Sequence, residues 1–137
     1  MSSPDPLYYE KLGDRFDAWM SDYDVRQRTH LIRRLLGSLP LGPEAQVLEA
    51  GCGTGRISAF LAERFPHLTV SDLSPRLTGE VAERLGCRGV AGDVAALPLP
   101  EGTFDLVVSS ECIEHTPEPQ ASLLGMGRML RPGGWLV

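Results

Sequence analysis

Three groups of residues in this sequence have the types and the spacing to do chemistry. The first is Glu49-Ala50-Gly51-Cys52-Gly53-Thr54-Gly55, a carboxylate followed by glycines at alternate positions. Glycines so placed permit a sharp turn and let bare backbone approach a ligand where a Cβ would collide. A helical pattern starts directly after them, and its first N–H groups and positive dipole end point at the same place. The second group is Asp72 and Asp93, each closing a short apolar run. A carboxylate at the end of the second strand of an α/β nucleotide fold can accept from both ribose hydroxyls at once. Leu73 would then pack against the base. The third group is Glu111, Glu114 and His115, spaced i, i+3, i+4. On one helical turn, ended by Pro117, they would share a face. Two carboxylates and an imidazole there suit a divalent metal, or supply a general base, or simply line and cap a cleft.

The glycine spacing narrows the ligand. A dinucleotide-binding turn has Gly-x-Gly-x-x-Gly, with the third glycine allowing close helix–strand packing. Here Gly51 and Gly53 fit that pattern and Arg56 holds the third place. Glu49 lies where a diphosphate would meet a carboxylate, and an acidic group there suits a cationic ligand portion. Both features count against an NAD-dependent oxidoreductase, which is kept as an alternative.

The elements that position these residues follow from periodicity and punctuation. Asp5-Pro6 is a helix start, and Tyr8, Leu12, Phe16 and Trp19/Met20 recur at helical spacing over about 6–20. The segment 21–24 caps a second helix whose inner face is Val25, Thr29, Ile32, Leu35/Leu36 and Leu39, stopped by Gly37. Arg26, Arg28, Arg33 and Arg34 fall mostly on the other face and read as solvated charge, and His30 and His67 as chemically inert. A strand is expected near 46–50, then a helix carrying Ile57, Phe60, Leu61 and Phe65 that Pro66 ends. A second strand at 68–72 leads to a helix opened by Ser74-Pro75 and closed by Gly86, and a third strand follows at 87–92. The stretch 95–103 is a loop broken by prolines. The apolar run 104–109 reads as a strand buried on both faces. Pro119 opens a last helix with Leu123, Met126 and Leu130, Arg131-Pro132-Gly133-Gly134 is a tight turn, and Trp135-Leu136-Val137 enters a fifth strand.

This alternation predicts an α/β fold: a Rossmann-like, doubly wound parallel sheet of order 3-2-1-4-5 with helices on both faces. The cleft would lie between strands 1 and 4, outside their carboxyl ends. Residues 1–40 are expected as an N-terminal helical lid or cap, and 41–137 as the α/β cofactor-binding domain.

Composition bounds the rest. At 137 residues the chain makes one domain, and its 42% hydrophobic and 23% charged fractions are ordinary for a globular protein. The net charge of −5 without a basic run argues against nucleic acid as a partner. Lys11 is the sole lysine, a bias that reflects coding preference rather than a phosphate site. No apolar run approaches the roughly 20 residues of a membrane span. The first residues are neither basic nor apolar, so no signal peptide is expected. Cys52, Cys87 and Cys112, an odd set with no C-x-x-C, read as free thiols in a reducing cytoplasm.

Val-Leu-Glu-x-Gly-Cys-Gly-Thr-Gly closely resembles the first motif of the class I S-adenosylmethionine-dependent methyltransferases, and Leu97-Pro98-Leu99-Pro100-Glu101-Gly102-Thr103-Phe104-Asp105-Leu106-Val107-Val108-Ser109-Ser110 is again typical of that family. The resemblance, of the type 11 kind, runs over about 47–137 with its motifs in order. It implies that Glu49 and the backbone from Gly51 through Cys52 and Gly53 to Gly55 hold the methionine portion of S-adenosylmethionine. It implies further that Asp72 and Leu73 take the ribose and adenine, that Asp93 accepts from the adenine amino group with the Val94 amide facing the ring, and that Ser110 joins the cofactor residues. An N-terminal helix often closes over the cofactor in this family, a role for Tyr8 or Phe16. Glu-x-x-Glu-His is similar to ubiquinone-pathway O-methyltransferases and to small-RNA 3′-end 2′-O-methyltransferases. In the latter such residues hold magnesium with a further histidine, which this sequence lacks after His115. His115 or Glu111 is then the candidate to take an acceptor's proton, and a divalent metal stays open. The function implied is methyl transfer to a small-molecule acceptor by direct displacement, releasing S-adenosylhomocysteine. The family's usual fold continues beyond a fifth strand, so the chain is expected to be a piece truncated before the C-terminal antiparallel strands. A non-catalytic S-adenosylmethionine-binding module is the alternative from another class.

Overall fold

A computed structural model describes residues 5–137. Helices α1 (Pro6–Trp19) and α2 (Asp22–Gly37) precede a five-stranded sheet. Strand β1 (Val47–Ala50) is followed by α3 (Arg56–Arg64), β2 (Leu68–Asp72), α4 (Pro75–Leu85) and β3 (Arg88–Ala91). Then come β4 (Phe104–Val108), α5 (Pro119–Met129) and β5 (Leu130–Leu136), with single 3-10 turns at Val94–Ala96 and Ile113–His115. The sheet order is β3-β2-β1-β4-β5 and every pairing is parallel, as the alternation of elements predicts.

β1 is the centre of the sheet. Val47 is in register with Leu68 on one side and Leu106 on the other. All four of its residues are buried, the signature of a strand covered on both faces. Successive side chains then go to opposite layers. Val47, with Val70 and Leu106, packs under Ile32 and Leu36 of α2 and Leu61 of α3. Leu48 and Val107 pack under Met126 and Met129 of α5. Each such fully buried leucine is worth about 2–5 kcal/mol against alanine.

The local punctuation works by capping. Ser21 Oγ accepts from the Asp24 amide at 3.1 Å to start α2, and Ser74 Oγ accepts from the Leu77 amide at 3.1 Å to start α4, with Pro75 in its first turn. Gly86 ends α4 in a left-handed conformation, φ 64°.

Gly37 is the last residue of α2, and Ser38 caps its end, its hydroxyl donating to the Leu35 carbonyl at 2.7 Å. Two expectations are corrected. Leu35 is 46% exposed, because the face that docks on the sheet is the line through Ile32 and Leu36. The turn at 131–134 does not precede β5 but lies inside it: pairing jumps from Phe104↔Leu130 to Leu106↔Trp135, with Gly133 at φ 81° in the looped-out segment.

Among the described residues, no helix is long and apolar enough to cross a membrane. Cys52, Cys87 and Cys112 are free thiols.

Candidate functional site

The cleft lies at the carboxyl ends of β1, β2 and β4, where the sheet order reverses direction. Its floor is the glycine turn after β1, with Gly51, Gly53 and Gly55 at φ 79°, 53° and 85°. Gly51 is required twice over. Its φ disfavours a side chain, and a Cβ there would stand 2.5 Å from Cys112 Sγ in the segment after β4. The Gly51 and Cys52 amides donate to the Ser71 carbonyl at 2.9 and 2.8 Å, pinning the turn to β2. Helix α3 begins beyond Gly55 with no side-chain cap, so its first turn faces the cleft without a competing oxygen.

Asp72 closes β2. Its Oδ2 accepts from the Gly53 amide at 2.9 Å and its Oδ1 from the Ser74 amide at 3.0 Å. A carboxylate offers about four acceptor sites, so these two bonds orient Asp72 without exhausting it. Leu73 beside it is half-buried and lines the cleft. Asp93 caps the 3-10 turn that follows β3, accepting from the Ala95 amide at 2.9 Å, and with Val94 lines the same cleft.

Glu49 is 3% exposed and accepts a hydrogen bond from Ser58 Oγ of α3. Burial pushes its carboxyl up to about 8, against the Ser58 bond that favours the charged form, and with a further push from Asp72. A neutral carboxyl is therefore its resting form near neutral pH, and a cation beside it would ionise it. Burial, with Glu49 next, holds the Cys52 thiol well above its ordinary range. Burial likewise raises Cys112, to about 11. Neither sulfur is a nucleophile in this setting.

The segment after β4 differs from the expected helical turn. Glu111 has φ 55°, outside the 3-10 turn Ile113–His115, so Glu111, Glu114 and His115 do not share a helical face. Glu111 pairs instead with Arg28 of α2, at 3.2 Å. Its carboxyl is raised by a hydrogen bond with Glu114 and by burial, against the pull of Arg28. His115 Nε2 lies 4.0 Å from Glu114 Oε1. Among the described residues, no group of three or more His, Cys, Asp or Glu side chains is arranged to hold a metal. Ser110, Glu111 and His115 do line the cleft with the glycine turn.

Arg28 is the residue that the reading of α2 missed. It is no solvated charge: it lines the cleft and is 26% exposed. The signal was present, since Arg28 lies three residues after Val25 and four before Ile32, on the inner face. The N-terminal helices are also tied to the α/β part elsewhere. Asp17 pairs with Arg56 at 3.0 Å, and Glu10 accepts from Ser74 Oγ at 2.8 Å and faces Arg76 at 3.5 Å. Tyr8 is 58% exposed and is not among the lining residues, whereas Leu12 and Met20 are. The Phe16 side chain, expected over the cofactor, lies outside the described residues.

The donor set can be tested against a ligand. Glu49, Asp72 and Asp93 all line the cleft, and they accept from hydroxyls and amines and attract a cation. Asp72 would serve an NAD ribose as well, so the discriminating group is Glu49, whose carboxyl lies beside the glycine turn where a diphosphate would sit. S-adenosylmethionine, with ribose hydroxyls, amino groups and a sulfonium, fits this set better than NAD.

Comparison with known proteins agrees. Residues 48–137 match the family model described as "Methyltransferase domain". Malonyl-[acyl-carrier protein] O-methyltransferase of Serratia marcescens is 30% identical over 139 residues, which is 99% of this chain and 54% of that protein. Trans-aconitate 2-methyltransferase of Deinococcus radiodurans is 38% identical over 109 residues, 77% of this chain and 41% of that protein. The chain thus spans about half the length of the curated relatives it matches. A solved Methanococcus maripaludis structure, described as an S-adenosyl-L-methionine-dependent methyltransferase, superposes with a TM-score of 0.79 at 18% identity, over 99% of this chain and 65% of that one. At that identity the likeness speaks to the fold. The family match over the sheet and its cleft carries the assignment: the chain belongs to the methyltransferase domain family, the class I S-adenosylmethionine-dependent methyltransferases.

Proposed function

We propose that this chain binds S-adenosylmethionine in the cleft and serves methyl transfer to a small-molecule acceptor. The observation that carries the reading is the Gly53–Asp72 hydrogen bond of 2.9 Å, which makes the glycine turn and the strand-end carboxylate one preorganised unit. When bound, the cofactor supplies an electrophilic methyl on a sulfonium: the acceptor's lone pair forms the new bond to carbon, and sulfur keeps the electron pair of the broken one.

The chain's own residues position the partners, which is where most of the rate is gained in a direct displacement. Asp72 takes the ribose hydroxyls and Leu73 packs on the base. Asp93 accepts from the adenine amino group and the Val94 amide faces the ring. Glu49 and the backbone from Gly51 through Gly55 hold the cationic methionine portion. Ser110 closes the wall on the β4 side. His115 is placed to take a proton from an acceptor that carries one. Helices α1 and α2 act as a cover, tied by Glu10 and Asp17. The small-molecule class of acceptor is supported by the trans-aconitate methyltransferase among the relatives.

Calorimetric titration with S-adenosylhomocysteine, with NAD as control, tests the reading. Micromolar binding that is lost in Asp72→Ala, and no binding of NAD, is the expected result. A folded chain that binds neither overturns it.

A further inference from the structure

The cleft is lined by acidic groups, yet one end of it presents a cation. Arg28 enters from α2 and faces Glu111, its Nη2 3.2 Å from Glu111 Oε1. The other lining arginine, Arg56, sits beside the glycine turn and is engaged by Asp17 at 3.0 Å. Arg28 is therefore the lining arginine at the wall formed after β4, which holds Glu111 and His115.

Glu111 holds Arg28 under poor terms. Its φ of 55° is in the left-handed region, uncommon and costly for a residue with a Cβ. The neighbouring Glu114 disfavours charge on the same carboxyl, while Arg28 and His115 favour it. A second carboxylate entering the cleft meets a planar guanidinium suited to bidentate pairing. Its competitor, Glu111, already stands against the like charge of Glu114.

We propose that Arg28 is the acceptor-binding residue of this cleft and that the acceptor carries a carboxylate, which replaces Glu111 on the Arg28 guanidinium. The proposal rests on the cofactor reading above and names the substrate class for it. Glu111 then acts as a placeholder: it keeps Arg28 neutralised and oriented until an acidic acceptor arrives. Neutral acceptors gain nothing from the exchange, because they would leave the Arg28–Glu111 pair in place.

The test uses the full chain saturated with S-adenosylhomocysteine and titrated with malonate, glutarate and trans-aconitate, each against its full methyl ester. The acids are expected to bind and the esters to bind at least about tenfold more weakly. Arg28→Gln should weaken the acids by about tenfold or more. Glu111→Gln should tighten them, since it removes the competing charge and keeps the shape, an effect that a merely structural pair would not produce. Affinity for S-adenosylhomocysteine, measured on the same variants, reports that each is folded with its cofactor side intact. If wild type binds S-adenosylhomocysteine but none of the acids, or binds esters equally, or if Glu111→Gln weakens the acids as Arg28→Gln does, this proposal falls alone. If wild type binds no S-adenosylhomocysteine, the cofactor reading falls and takes this one with it.

Discussion

The amide of Gly53 donates to the carboxylate of Asp72 at 2.9 Å, joining the turn after β1 to the end of β2 across the floor of the cleft. The other Asp72 oxygen holds the Ser74 amide at 3.0 Å, at the cap of α4. Asp72→Ala strips acceptors from both amides. It should cost about 1–3 kcal/mol of stability and lower S-adenosylhomocysteine affinity by more than about tenfold. Asp72→Asn keeps one acceptor oxygen and should fall between. Urea denaturation and calorimetry on the two variants check the order.

Gly51→Ala combines two costs. A φ of 79° disfavours any Cβ, by about 1–2 kcal/mol. The new Cβ would also stand 2.5 Å from Cys112 Sγ and 2.7 Å from Cys112 Cβ. Adding Cys112→Gly should recover the steric part and leave the backbone part. Denaturation midpoints of the single and double variants separate the two.

Glu49 makes stability depend on pH in a stated direction. Its folded carboxyl is raised from 4.5 to about 8, first by burial, so in that window the folded chain holds a proton that the unfolded chain has released. Stability from this group is full below the lower value and is lost as pH rises through the upper one. The loss is at most about 1.4 kcal/mol per pH unit. Glu49→Gln should flatten that slope in thermal melts. Cofactor binding should run the other way: in wild type it tightens as pH rises toward the upper value and releases a proton, and in Glu49→Gln it does neither.

Two glycines of α5 should answer oppositely to alanine. A Cβ at Gly125 would lie 2.3 Å from the Val94 carbonyl oxygen and 2.7 Å from Ala95 Cα, both rigid backbone of the turn that carries Asp93. Gly125→Ala should cost about 1–3 kcal/mol and weaken S-adenosylhomocysteine binding by displacing that turn. Gly127 meets nothing within 4 Å, so Gly127→Ala should be neutral or stabilise by up to about 1 kcal/mol. Melting temperatures of the pair decide it.

The strands and their order were legible because each apolar run is bounded by glycine, proline or a capping serine, and because the strand–helix alternation admits few topologies. Asp72 and Asp93 were legible for a related reason, since the carboxyl end of a parallel strand is where ligands meet the sheet. What escaped reading depends on partners distant in sequence. The spacing of Glu111, Glu114 and His115 suggested one helical turn, but the close approach of Cys112 to Gly51 and the pairing with Arg28 accompany a left-handed Glu111 instead. Arg28 read as surface charge because an arginine on the inner face of α2 makes sense only once Glu111 is seen opposite it. Leu35 read as core because apolar character alone does not say which line of a helix docks. Ser58, the hydroxyl partner of buried Glu49, carries no motif at all.

The central place of β1 has a consequence for how the chain is made. Its partner β2 follows after a single crossover, while β4, which covers its other edge, comes only after α4 and β3. During synthesis the first three strands therefore emerge with one side of Val47-Leu48-Glu49-Ala50 unpaired, an open apolar strand edge of the kind that recruits other chains. Nascent chains halted after β3 should associate or engage chaperones more than those that already carry β4 and β5. The same strand that anchors the ligand cleft in the finished protein is its point of greatest exposure while the protein is being built.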